Sequence, residues 1–420
     1  MAPESAGNPA RRGVVGSNAY QWWLTALLSL NFGFVLLDRN ALSFLMPFVQ
    51  PELGLSNTQV GLLAAGLSLT WALSAFGIGF VTDRFGSRKK LLVMATVLFA
   101  LCSFASGLVA GFAALLATRL LMGAAEGGIM PLSQGLVATQ VDPRRRGLSM
   151  GIVQGFGSSL MGSFIAPVVL VAIASTWGWR NAFFLAGAPA LLVAVLMALT
   201  LREEGPVARR ESKSAALAGG MGAALRTVLA DGNVVRCLVL SIAFVGYLVV
   251  CWSFMPLYLV QVREYDATTM SWLMGVLGIA ATLFSFAITG LSDRIGRRPV
   301  IIIVPFLALI LPLAALYFHG PVWMLAAMFF VGWTFTGTMP LFMATVPSES
   351  VPKTHIGVVL GLCMGGSEIL GGVLAPLFSG QAADRFGLQA PLWVMVILAI
   401  VGSFAAFGLR DTAPLRTGNH

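Results

Sequence analysis

Apolar runs of about twenty residues recur along the whole chain, and no other feature limits its fold so strongly. A hydrocarbon core about 30 Å thick takes about 20 apolar residues per helical crossing. Backbone groups inside that core must be satisfied within the segment, so each run is expected to be a helix. The runs predict spans over 22–49, 59–80, 91–110, 113–138, 147–174, 180–201, 234–261, 270–290, 299–318, 321–346, 356–382 and 390–409. An even number of crossings puts both termini on one side. Charged residues make up only 10% of the 420 positions, against roughly 25% in soluble domains, which excludes an ordinary soluble protein. The expected class is an all-α membrane protein with twelve transmembrane helices.

Residues 1–20 are polar, and the first apolar run is interrupted by Asp38 and Arg39 rather than closed by a small-residue cleavage site. No cleaved leader is therefore expected, and the first helix stays in the mature protein. The net charge of +9 is spread through short loops, a pattern of topology determinants rather than of a nucleic-acid-binding face. Most of the 26 basic residues fall on one side, in clusters such as Arg84, Arg88, Lys89 and Lys90, Arg144 to Arg146, and Arg294, Arg297 and Arg298. Only Arg180, Arg263 and Arg385 fall on the other, while Arg39 and Arg119 lie within spans. The bias places both termini in the cytoplasm and the chain in the cell inner membrane. Cys102, Cys237, Cys251 and Cys363 all lie inside apolar runs at spacings that fit neither a metal site nor a disulfide framework, and read as small core residues.

The chain divides near its middle. Residues 202–233 form the one long polar break, between an expected six-helix bundle over 21–201 and a second over 234–410, with polar tails at 1–20 and 411–420. Landmarks recur at an offset of 209 positions: Pro47 with Pro256, Pro131 with Pro340, Pro167 with Pro376, and Gly178 with Gly387. Two pseudo-symmetric six-helix bundles with a substrate held between them are an established transporter architecture.

After the second span comes GFVTDRFGSRKK, Gly79 to Lys90, and after the eighth comes TGLSDRIGRR, Thr289 to Arg298. Gly86 and Gly296 permit tight turns, and Asp83 and Asp293 can accept from helix amides or from a nearby Arg. These segments resemble the signature loop of the major facilitator superfamily, and the resemblance covers nearly all of the chain. It implies that Gly79, Asp83, Arg84, Gly86 and Arg88 in one half, and Asp293, Arg294, Gly296 and Arg297 in the other, latch the cytoplasmic side in one conformation. Thr289 departs from the pattern, standing where the first half has Gly79. A narrower resemblance lies in LLDRNALSFLMPF, Leu36 to Phe48, and RLLMGAAEGGIMP, Arg119 to Pro131, which are similar to the anion:cation symporter branch, with its permeases for sugar acids and phthalate-like acids. Members place an Asn three residues after the helix 1 Asp; here Asn40 comes two after Asp38, so the resemblance assigns it no role.

The intramembrane charges argue independently of the family. Each costs about 3 kcal/mol at mid-membrane unless paired, hydrated or protonated. Arg119 and Glu126 are seven residues apart and share a helix face; Asp38 and Arg39 are adjacent and point roughly 100° apart. One helix 1 charge is thus expected toward substrate and the other toward helix 4. The offset maps Asp38, Arg39, Arg119 and Glu126 onto Tyr247, Leu248, Met328 and Phe335, so the second half has dropped all four charges, as expected of a coupling site needed only once.

No histidine lies within a span, so proton coupling must rest on carboxylates, with Asp38 and Glu126 the candidates. Arg39 is the first choice for a substrate carboxylate because its planar fork binds one bidentately; Arg119 could exchange roles with it. Glu368 in the eleventh span, Tyr247, Gln134 and Trp252 are further candidates for substrate contact, with Trp71, Trp333 and Gln154 as weaker ones. The reading is a monomeric secondary transporter in the lipid bilayer that imports a small organic anion, an aromatic or sugar acid, by proton symport. No cofactor, metal or nucleic acid is expected. Proton-coupled efflux is the alternative, weakened because GIVQGFGSSLMGSFIAP in the fifth span lacks the Gly-Pro pair of such exporters. A sensor on a transporter fold is a third reading, and an enzyme the least supported, since no metal cluster, nucleophile elbow or phosphate loop is present.

Overall fold

The structure, a computed structural model, describes residues 17–203, 221–352 and 355–412. Residues 1–16 and 413–420 of the expected tails, and 204–220 of the expected linker, lie outside the described residues. So do the side chains of Asp83 and Arg84, and the surroundings of Gly79.

Twelve helices among the described residues are long and apolar enough to cross a membrane. They are α1 (Asn18–Leu53), α2 (Asn57–Phe85), α3 (Arg88–Leu108), α4 (Phe112–Gln140), α5 (Arg146–Trp177), α6 (Trp179–Thr200), α7 (Gly232–Gln261), α8 (Ala267–Ile295), α9 (Arg297–Tyr317), α10 (Val322–Ser350), α11 (Ile356–Phe386) and α12 (Gln389–Ala406). Each expected span corresponds to one helix. The helices outrun the apolar runs because polar side chains cap them outside the core. Ser17, Ser56, Asp231 and Asp266 accept from amides in the first turns of α1, α2, α7 and α8, satisfying donors that a helix leaves open. A further short helix, Met221–Leu229, occupies part of the segment expected to be linker.

Helices α1–α6 pack into one bundle and α7–α12 into the other. The repeat is expressed in the backbone: Gly178 and Gly387 both take positive φ, +85° and +82°, at the turns from α5 to α6 and from α11 to α12. Gly86 and Gly296 do the same, at +73° and +103°, in the two signature loops. Five spans depart from regular α geometry. α4 is interrupted at Gly127 and Gly128, α9 and α10 contain 3₁₀ turns, and α5, α10 and α11 contain wider π-helical turns. One of these, Glu368–Leu374, begins at the half-buried carboxylate of α11.

Close packing between the bundles is concentrated at the membrane face away from the termini. There α2 meets α11 where a side chain at Gly61 or Gly380 would collide with backbone, the Pro376 carbonyl in one case and the Asn57 carbonyl in the other. Asp384 of α11 accepts from the amides of Asn57 (2.9 Å) and Thr58 (2.8 Å) and from the Thr58 hydroxyl (2.5 Å). Its carboxylate thus sits on the positive N-terminal end of α2. Gln261 of α7 donates to Gln50 of α1 at 2.9 Å, and α5 lies against α8 at Ser163 and Gly278.

Candidate functional site

Between the bundles lies a cavity of about 450 Å³, a size suited to a small-molecule ligand. The two helices that open each half, α1 and α7, supply facing stripes. Leu36, Arg39, Asn40 and Ser43 come from α1 and Val245, Leu248, Val249 and Trp252 from α7. Both stripes have the i, i+3, i+4, i+7 spacing of one helix face. Trp71, Ser68 and Gln154 add to the first half's wall, and Met339, Met343 and Glu368 to the second's.

Arg39 reaches into this cavity at the boundary of the halves. Its Nη2 lies 3.5 Å from Glu368 Oε1, each side chain 16% exposed, and its guanidinium carbon stands 5.0 Å from the centre of the Trp71 ring. The other oxygen of Glu368, Oε2, is buried without a hydrogen-bond partner among the described residues.

Asp38, one position back on α1, points the other way, as a 100° step requires. It is fully buried and accepts from Ser103 of α3 at 2.6 Å; that hydroxyl also contacts the Phe183 carbonyl of α6 at 2.9 Å. Of the two helix 1 charges, Arg39 faces the cavity, while the direct partner of Asp38 comes from α3 and not from α4. Arg119 is 1% exposed and still lines the cavity. It donates to Ser106 at 2.5 Å and lies over the Phe183 ring, and its Nε and Nη1 have no partner among the described residues. Glu126, also 1% exposed, has both oxygens unpartnered among the described residues. Arg119 is within electrostatic reach of Asp38 and Glu126, and Glu126 within reach of Arg39, although none of these pairs forms a direct ion pair. The four charges and Glu368 thus cluster around the cavity: two guanidinium groups and one carboxylate at its wall, two carboxylates behind it.

Three expected contacts need correction or completion. Tyr247 does not reach the cavity: it is fully buried, donates to the Ala308 carbonyl at 2.7 Å, and packs against Phe244, Trp333 and Phe335. Trp333 belongs to the same aromatic cluster. Gln134 lies two turns past Glu126, on the far side of the break at Gly127 and Gly128, and is not among the lining residues. Asn40, given no role from the sequence, lines the cavity and donates to the Gly162 carbonyl of α5 at 2.9 Å. The spacing of Arg39, Asn40 and Ser43 on one helix face was the signal that could have found it.

In the second signature loop, Asp293 accepts from Arg297 at 2.6 Å. Arg297 also pairs with Glu349 of α10 at 3.0 Å, and its amide donates to Asp411 at 3.1 Å. All these contacts stay within one half. Arg294 closes the last turn of α8, and Arg88 lies against Gly135 of α4.

The chain matches the family model described as Major Facilitator Superfamily over residues 28–369 and again over 252–419. It is 28% identical over 384 residues, 89% of this chain and 86% of the relative, to a probable 4-methylmuconolactone transporter of Cupriavidus pinatubonensis. It is 32% identical over 257 residues, 58% of this chain and 59% of the relative, to a hexuronate transporter of Bacillus subtilis. A multidrug resistance protein, MdtG, of Enterobacter lignolyticus is 26% identical over 391 residues, 89% of each chain. In fold it is similar to a bacterial homologue of the human lysosomal transporter Spinster, with a TM-score of 0.74 and 19% identity, over 93% of this chain and 98% of that one. Twelve membrane-spanning helices in two pseudo-symmetric bundles, the twice-occurring signature loop and the family match together identify the chain as a member of the major facilitator superfamily, a transporter rather than an enzyme.

Proposed function

We propose that this chain brings a small organic anion into the cell together with protons, by alternating access across the inner membrane, acting as a monomer with both termini in the cytoplasm. One observation carries the reading: the charges around the cavity. Arg39 and Arg119 contribute two positive charges, and Asp38, Glu126 and Glu368 three negative ones, a formal sum of −1 when all are ionised. An incoming monoanion would make it −2 in a medium of low dielectric, so anion binding favours protonation of the carboxylates.

Arg39 is the group we assign to the substrate carboxylate, because of the two arginines at the wall it is the more exposed, 16% against 1%, and it stands where the two halves meet. Arg119 links that event to Asp38 and Glu126, which take the protons. Trp252 belongs to the substrate's far wall. The signature loops Gly79 to Arg88 and Asp293 to Arg297 act as the cytoplasmic latch, and the contact of Asp384 with α2 closes the opposite face. The names of the relatives, a 4-methylmuconolactone and a hexuronate transporter, support an acid as cargo, and the basic loops support the orientation.

The likeness to MdtG favours a second reading, proton-coupled efflux. Proteoliposomes separate the two. With acid outside, uptake of labelled 4-methylmuconolactone or labelled glucuronate is expected to rise at least tenfold over the gradient-free rate. Uptake unchanged after both the pH gradient and the membrane potential are collapsed would defeat symport, and resistance to a toxin without growth on any acid would favour efflux.

A further inference from the structure

The two facing stripes of the cavity are related by the internal repeat, yet their chemistry has diverged. Adding the 209-residue offset turns Leu36, Arg39, Asn40 and Ser43 of α1 into Val245, Leu248, Val249 and Trp252 of α7, and all eight line the cavity. One wall presents a guanidinium, an amide and a hydroxyl; its counterpart presents three aliphatic side chains and an indole. Met339 and Met343 extend the apolar side with polarizable thioethers. Trp252 is held in place edge-on against Phe44 (5.6 Å between ring centres) and Trp333 (5.4 Å).

We infer that the chamber takes a monocarboxylate with an apolar, ring-sized body, its carboxylate at Arg39 and its body against α7, and that Glu368 limits it to one negative charge. The inference rests on the proposed anion transport and narrows its cargo. A polyhydroxylated acid would turn hydroxyls toward Val245, Leu248 and Val249, which replace none of the water hydrogen bonds they lose, with the Ser253 hydroxyl and the Trp252 indole N–H as the polar groups that α7 offers the cavity. A second carboxylate would meet Glu368, whose Oε1 lies 3.5 Å from the same guanidinium and whose Oε2 is without a partner among the described residues. Glu368 thus contacts Arg39 from the opposite half, and the substrate carboxylate takes over that contact.

The test measures binding to the purified full chain by isothermal titration. The probes are benzoate, phenylacetate and cyclohexanecarboxylate, against D-glucuronate, D-galactonate and phthalate. At least one of the first three is expected to bind ten times more tightly than any of the second three. Glu368→Gln is expected to narrow the preference for benzoate over phthalate at least fivefold. Leu248→Asn is expected to narrow that for benzoate over glucuronate. Glucuronate binding as tightly as every apolar-bodied acid overturns the substrate class, and an unchanged benzoate-to-phthalate ratio in Glu368→Gln overturns the role of Glu368. Either result leaves anion transport standing if glucuronate is taken up with protons. Binding of none of the six, with no carboxylate uptake in proteoliposomes, overturns both readings together.

Discussion

Arg39 combines two things that a lysine at the same place could not: a planar fork and a flat face to lay against Trp71. Its separation of 3.5 Å from Glu368 is loose for an ion pair with two good hydrogen bonds, which leaves room for exchange with an incoming carboxylate. Arg39→Lys keeps the charge but loses the bidentate geometry, and we expect at least a tenfold loss of substrate affinity in a titration. Trp71→Ala removes the ring beneath the guanidinium; a cation–π contact of about 0.5–2 kcal/mol implies a rise of a few-fold to about thirtyfold in the KM for uptake, with Trp71→Phe in between. The charges themselves were legible in the sequence, because an ionised group in an apolar run is costly wherever it points. The direction each one points was less legible. The 100° step separated Asp38 from Arg39 but did not reveal that Ser103, sixty-five residues away, holds the Asp38 carboxylate. Glu368 stood out as a charge in a run of small residues, while its pairing with Arg39 depends on two halves meeting and has no local signature.

At the scale of the helices, the landmark prolines and glycines foretold the repeat because they enforce backbone shape, and Gly178 and Gly387 adopt the same left-handed turn. Helix irregularities were not foretold. Hydrophobic periodicity assumes a constant turn angle, so it carries no sign of the break at Gly127 and Gly128 that separates Gln134 from the segment bearing Arg119 and Glu126. The α2–α11 junction was hidden for a similar reason: Asp384 and Thr58 are polar residues near span ends, unremarkable until α11 brings its carboxylate onto the first turn of α2. Alternating access requires this junction to open. A Thr58→Cys, Asp384→Cys double variant puts two thiols where the hydroxyl and carboxylate touch, within the reach of a disulfide. We expect oxidation to stop uptake and a reductant to restore it, each single variant being indifferent to oxidant. The four native cysteines are buried and free, so they leave the measurement clean.

For the whole molecule, the charge sum limits the energetics of the cycle. The ring of five ionisable groups starts at −1 and falls to −2 with a bound monoanion, and two protons bring it to neutrality. A neutral, substrate-loaded centre is the form that the low-dielectric barrier opposes least. Two protons carried with one monoanion move one net positive charge inward per turn, while the empty carrier returns with its carboxylates deprotonated. Each 100 mV of membrane potential, negative inside, then adds about 2.3 kcal/mol to the driving force, roughly fiftyfold in the accumulation ratio at equilibrium. Proteoliposomes loaded with potassium and treated with valinomycin, at equal pH on both sides, are therefore expected to accumulate substrate when diluted into potassium-free buffer. Glu126→Gln removes one of the three carboxylates and with it one proton-accepting site, so the same potential should no longer drive accumulation, while exchange of internal for external substrate continues. If the wild-type chain accumulated substrate equally well with and without the potassium gradient, the protein would be moving one proton per anion, and the ring of five charges would have to keep a proton throughout the cycle.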